Sequence, residues 1–178
     1  VAGMAKASMG DYAFLVVAIL AIGNAGGRVV AGIVSDMIGR SRTLGILFVF
    51  QAMLMLVAVP VTGSATASGL LLVLLATGIG FNYGANLALF PALTKDFFGI
   101  KNFGVNYGIL FTSWGVGGFV MSRASQVLKA RTDSFSASFV VAAVLLATGA
   151  GLMLLVKNRK EVMRREILRK LAAGGMPA

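Results

Sequence analysis

The stretch Gly32-Ile-Val-Ser-Asp36-Met-Ile-Gly39-Arg40-Ser-Arg42 decides how this chain folds. It sets one acid, two bases and two glycines on the spacing G-x-x-x-D-x-x-G-R-x-R, between two apolar runs. Gly32 lets two helices approach closely, and Asp36 can place its carboxylate near a helix N-terminus or an arginine. Gly39 permits a tight turn, while Arg40 and Arg42 stay in water. The plainer reading is a short basic loop with incidental glycines, and what flanks it argues against that.

Outward from this loop, five segments are apolar enough for a bilayer core, which needs about 20 residues per helix. They run from about Tyr12 to Ser35, Thr43 to Pro60, Gly69 to Leu93, Gly104 to Ser122 and Ser136 to Val156. The expected linkers are Ser35–Arg42, Val61–Ser68, Thr94–Phe103 and Arg123–Phe135, short enough to force neighbouring spans antiparallel. Nothing alternates with period two over ten-residue stretches, so a transmembrane β-barrel is not expected.

Composition agrees. The 178 residues are 58% hydrophobic and only 12% charged, with a mean hydropathy of +0.90. A soluble domain of this size has too large an outer shell to hide that much apolar surface, and disorder is excluded for the same reason. Cysteine and histidine are absent, which removes disulfides, thiolate metal sites, His-ligated metals and a Ser/His/Asp triad. The expected class is an all-α membrane protein with no metal, no cofactor and no enzymatic role.

Charge sets the orientation. The loop with Arg40 and Arg42, the loop with Lys95 and Lys101, and the tail from Lys157 to Lys170 hold eleven basic residues on one side. Lys6, Arg123, Lys129 and Arg131 are on the other. The positive-inside rule makes the richer side cytoplasmic. Residues 1–11 are then an external loop or the end of a preceding helix, 12–156 a five-helix bundle, and 157–178 a basic cytoplasmic tail. Val162, Ile167, Leu168 and Leu171 give that tail a weakly apolar face, suited to lying along anionic headgroups. A nucleic-acid role for the tail is the poorer reading. The first residue is Val1, and residues 1–11 lack the pattern of a signal peptide. Both suggest a fragment whose earlier helices are missing.

The loop at 32–42 resembles the signature loop of the major facilitator superfamily, which in that family follows helix two and again helix eight. The resemblance implies that the five spans correspond to helices 8–12 of 12. It also implies that Gly32, Asp36, Gly39, Arg40 and Arg42 form a cytoplasmic conformational latch, with Asp36 meeting the start of the next-to-last helix near Gly104. Further strings, Gly23-Asn-Ala-Gly-Gly-Arg28, Asn86-Leu-Ala-Leu-Phe-Pro91, Asp96-Phe-Phe-Gly99 and Asn106-Tyr-Gly-Ile-Leu-Phe-Thr112, are similar to the oxalate/formate antiporter family. That likeness covers most of residues 20–120. It implies transport of small monocarboxylates such as formate, lactate or pyruvate, with the missing N-terminal half as partner, in a bacterial or archaeal cell membrane.

Arg28 is the most informative residue. A guanidinium mid-span costs roughly 2.5–3.5 kcal/mol or more if it faces lipid. Snorkelling to the headgroups would take it about 10 Å, seven residues at 1.5 Å each. The preferred reading is a cation lining a cavity and offering paired hydrogen bonds to a carboxylate. The resemblance implies the same role. Asn24 lies one turn earlier on the same face, where animal monocarboxylate transporters carry an aspartate linked to proton coupling. An amide does not titrate, and no Asp or Glu lies inside a span, so no proton relay is visible here.

Tyr107, Phe111 and Trp114 share one helix face, as a packing stripe or as the wall of a water-poor chamber. Oxalate carriers have a lysine at the position matched by Trp114. One arginine facing a dianion leaves a charge uncompensated, which favours a monoanion. Tyr83 and Asn86, with Asn82 nearby, either share the cavity or act as interhelical glue. Gly23/Gly27, Gly80/Gly84 and Gly104/Gly108 are spaced for close helix crossings. The expected function is a secondary transporter of small organic anions working by alternating access, with Arg28, Asn24, Tyr83, Asn86, Tyr107, Phe111 and Trp114 binding substrate. The alternatives are an oxalate/formate exchanger proper, or a channel or membrane sensor with the same anion site.

Overall fold

A computed structural model describes residues 13–63 and 69–156. The tail and the segment before residue 13, on which the readings of 1–11 and 157–178 fall, lie outside the described residues. Five helices follow one another: α1 Ala13–Ile38, α2 Arg40–Gly63, α3 Gly69–Phe98, α4 Phe103–Thr132 and α5 Ser136–Leu155. The all-α architecture is the expected one. Four segments, Ala18–Ile38, Arg40–Val61, Leu70–Phe98 and Ser136–Leu155, are long and apolar enough to cross a bilayer. The remaining helix, α4, is less apolar than these four. Its 30 residues are long enough, but Gly104, Gly108, Gly115, Gly117 and Gly118 with Asn106, Thr112 and Ser113 dilute its hydropathy.

The helices also run further than the apolar runs do. Residues 35–38, 94–98 and 123–132, expected in linkers, are helical. Lysine and arginine are good helix formers, so polarity ends a span without ending a helix. What ends these helices is backbone reversal. Gly39 alone separates α1 from α2, with φ 96°. Its N–H donates to the Ser35 carbonyl at 3.0 Å, and its own carbonyl accepts from the Thr43 N–H at 3.1 Å. One left-handed glycine thus closes one helix and opens the next. Gly99 closes α3 in the left-handed region as well, with φ 74° and its N–H donating to the Lys95 carbonyl at 2.9 Å. After α4 the left-handed position is held by Asp133, φ 51°, whose N–H donates to the Lys129 carbonyl at 2.8 Å.

The two most extensive packings are α1 on α3 and α2 on α5, and α2 and α3 join the two pairs. Their shared core is Ala31, Leu44, Leu47, Ala85 and Leu89, flanked by Phe81 and Met153. A second cluster, Ala58, Val61 and Leu75 with Phe139, ties α2, α3 and α5 nearer the other end. The α1–α3 crossing is backbone on backbone. A methyl added to Gly23 would lie 2.8 Å from the Thr77 carbonyl oxygen, and one on Gly80 2.7 Å from that of Leu20. At Gly27 and Gly84 it would overlap the carbonyls of Phe81 and Asn24. Helix α4 stands apart from this scheme: it packs on α3 and α5, and none of its residues is buried.

Candidate functional site

Arg28 lies on the flank of α1, beside the stripe of Gly23, Gly27, Ala31 and Ser35 that is buried against its neighbours, and it is exposed. Its Nε donates to Asn24 Oδ1 at 3.1 Å, one turn back on the same helix. The amide oxygen therefore orients the guanidinium without neutralising it. Among the described residues no carboxylate pairs with Arg28.

A cavity of about 460 Å³ opens between α2, α3, α4 and α5. It gathers five of the seven residues expected to bind substrate: Tyr83 and Asn86 from α3, and Tyr107, Phe111 and Trp114 from α4. Arg28 and Asn24 are not in its wall, so the structure divides the expected set in two. The cause lies in α3. That helix turns Gly80 and Gly84 toward α1 and turns Asn82, Tyr83, Asn86 and Phe90 toward the cavity. Helical spacing puts these groups on different faces.

The α4 wall is a ladder of rings. Phe103 and Tyr107 stack at 5.5 Å between centroids, Tyr107 and Phe111 lie 5.8 Å apart, and Phe111 and Trp114 4.9 Å. Tyr83 reaches across from α3 to Trp114 at 6.1 Å. Sequence reasoning missed the α2 contribution, Phe48 and Gln51, and also Ser113. A signal was available, because Gln51 is the lone polar side chain between Thr43 and Pro60. Asn86 Nδ2 donates to the Asn82 carbonyl at 2.8 Å, which fixes the amide and leaves Oδ1 on its other side. The side-chain oxygens of Gln51, Asn82 and Asn86 are buried and accept no hydrogen bond from the described residues.

The latch residues sit at the end of the bundle where α1 meets α2 and α3 meets α4. Arg40 Nε lies 3.1 Å from Asp96 Oδ2, and Arg40 is 3.9 Å from Asp36 one turn earlier. The Arg40–Asp96 pair ties this loop to the end of α3. A methyl on Gly104 would meet nothing within 4 Å. The close approach expected at Gly32 is likewise made elsewhere, since a methyl there also meets nothing within 4 Å. Arg42 is exposed on the first turn of α2.

A sequence profile of the Major Facilitator Superfamily matches residues 3–173. The chain belongs to the major facilitator superfamily. Among curated relatives, it is 32% identical over 103 residues to the uncharacterized MFS-type transporter YhjX of Escherichia coli, a match covering 57% of this chain and 24% of that protein. It is 28% identical over 130 residues to the MFS transporter asaE of Aspergillus flavus, covering 72% of this chain and 28% of the relative. The chain thus spans about a quarter of the length of the curated relatives it matches. With its apolar helices, this superfamily member is a multi-pass membrane protein.

Proposed function

We propose that this chain is part of a secondary transporter for small organic monoanions, such as formate, lactate or pyruvate, and that Arg28 binds the substrate carboxylate. The observation that carries the reading is the state of Arg28. It is a mid-helix cation held by Asn24, exposed on the flank of a helix and unmatched by any carboxylate among the described residues. Once covered by the rest of the carrier, such a guanidinium needs an anion, and in a membrane helix an unpaired one marks a functional path. The five helices then correspond to helices 8–12 of a 12-helix carrier whose remaining helices cover the Arg28 face. Basic residues at 40, 42, 95 and 101 support a cytoplasmic side for this end of the bundle.

Transport by the full-length carrier in proteoliposomes tests this. Arg28→Gln removes a charge-assisted, paired hydrogen bond worth about 1.5–3 kcal/mol. Uptake of the preferred anion should therefore fall about tenfold to a hundredfold, with yield and monodispersity unchanged. Uptake at the parent rate would sink the Arg28 role.

A further inference from the structure

We propose that the cavity between α2 and α5 is a second ligand site, separate from Arg28, and that it takes an organic ammonium, a protonated amine on an apolar or aromatic body. The cavity's wall has two components. One is a set of aromatic faces, Tyr83, Tyr107, Phe111 and Trp114, in mutual contact. The other is three amide side chains, Gln51, Asn82 and Asn86, whose oxygens lie buried behind the wall and accept no hydrogen bond from the described residues.

Both components select the same ligand. Aromatic faces carry the negative lobe of the ring quadrupole and attract cations. Amide oxygens accept, and a primary ammonium brings three N–H donors and no acceptor. None of the described residues lining the cavity carries a charge. A carboxylate placed there would meet only neutral donors, such as the Tyr83 and Tyr107 hydroxyls and the Trp114 indole N–H, and no cation to offset the loss of its hydration. At about 460 Å³ the space falls within the range for small-molecule sites and holds a one-ring amine.

The three oxygens are covered in this conformation, and Asn82 is only 3% exposed. Buried acceptors without partners are costly, so their wall gains from any donor that reaches them. The opposite wall is α4, which buries none of its own residues. It is the element that can give way to admit the ammonium group at least loss of packing. Asn86 cannot relieve its own oxygen by flipping its amide, because Nδ2 is engaged by the Asn82 carbonyl.

The test is equilibrium binding to the full-length carrier in nanodiscs, with three probes of one shape: benzylammonium, benzyl alcohol and benzoate. Benzylammonium should bind at least about tenfold more tightly than either of the others. Trp114→Leu, at a residue 51% exposed, should weaken it about fivefold or more. Arg28→Gln should leave benzylammonium binding within about twofold, so the anion site and this one fail independently. The proposal is overturned if benzyl alcohol binds as tightly as the ammonium, which makes the cavity an apolar hole. It is equally overturned if benzoate binds as well, if none of the three binds, or if Trp114→Leu leaves affinity unchanged.

Discussion

The α1–α3 crossing and helix α4 carry the same glycine spacing and put it to different use. Gly23 and Gly27 of α1 oppose Gly80 and Gly84 of α3, and an added methyl at any of the four would press on a partner's backbone oxygen. Gly104 and Gly108 of α4 have the same four-residue step, yet a methyl on either meets nothing within 4 Å. Small-residue spacing permits a close approach but does not create one. The approach needs a second helix with a matching groove, and only the first pair faces its match in this bundle. What α4 presents inward is aromatic rings, which set a helix further off and leave a cavity behind.

The sharpest way to break that comparison is one large substitution on each side. Gly84→Leu drives a side chain into the Asn24 carbonyl, a backbone group with no rotamer to yield. Overpacking alone costs about 1–3 kcal/mol, and here it separates the most extensively packed helix pair. Folded, monodisperse protein should be lost or its yield cut severely. Gly108→Leu, on open space, should leave the yield within about twofold. Equal losses would mean that the α4 glycines are packed as tightly as those of the crossing.

A smaller effect is expected at the ends of the same helices. Arg40 and Asp96 link the first turn of α2 to the last turn of α3 at 3.1 Å, and their side chains are 25% and 39% exposed. A partly exposed pair of this kind contributes at most about 1 kcal/mol. Arg40→Gln should lower the melting temperature of the full-length carrier slightly, and the difference should shrink in about 1 M salt, where charges are screened within about 3 Å. Adding Asp96→Asn to Arg40→Gln should then cost less than it does alone. Strict additivity would show that the pair is not coupled.

Much of the fold was legible because the bilayer requirement writes itself into composition: long apolar runs must be helices, and short links make them antiparallel. The helix ends were not. Arg123, Lys129 and Arg131 mark where apolar character stops, but they are compatible with helix, and α4 continues to Thr132. Gly39 was readable as a turn; that the turn is a single residue was not, since Asp36 and Arg40 look like loop residues on either side. At the site, periodicity put Tyr107, Phe111 and Trp114 on one face correctly, because spacing within a helix is fixed. It says nothing of how Arg28, on α1, sits relative to that face. Which side of α3 meets α1 depends on the glycine crossing, a relation between two helices that neither one's spacing contains. Gln51 was overlooked for the complementary reason. A single polar residue in an apolar run has no partner in sequence, and its role emerges only when α2 is laid beside α3.

The smallest expected effect is also the most discriminating, because it predicts a change of sign. Alanine adds one methyl and removes backbone freedom from the unfolded chain, stabilising a helix by roughly 0.5–1 kcal/mol where the space is free. At Gly108 the space is free, so Gly108→Ala should raise the melting temperature of the full-length carrier by a degree or two. At Gly23 the same methyl meets the Thr77 carbonyl oxygen at 2.8 Å and the Thr77 side chain at 3.3 Å. The backbone oxygen cannot move without shifting α3, so Gly23→Ala should lower the melting temperature. If Gly108→Ala lowers it as well, another helix of the carrier occupies that face of α4. The open glycines would then be a docking groove of the assembled transporter, and the difference between the two regions would hold for these five helices only.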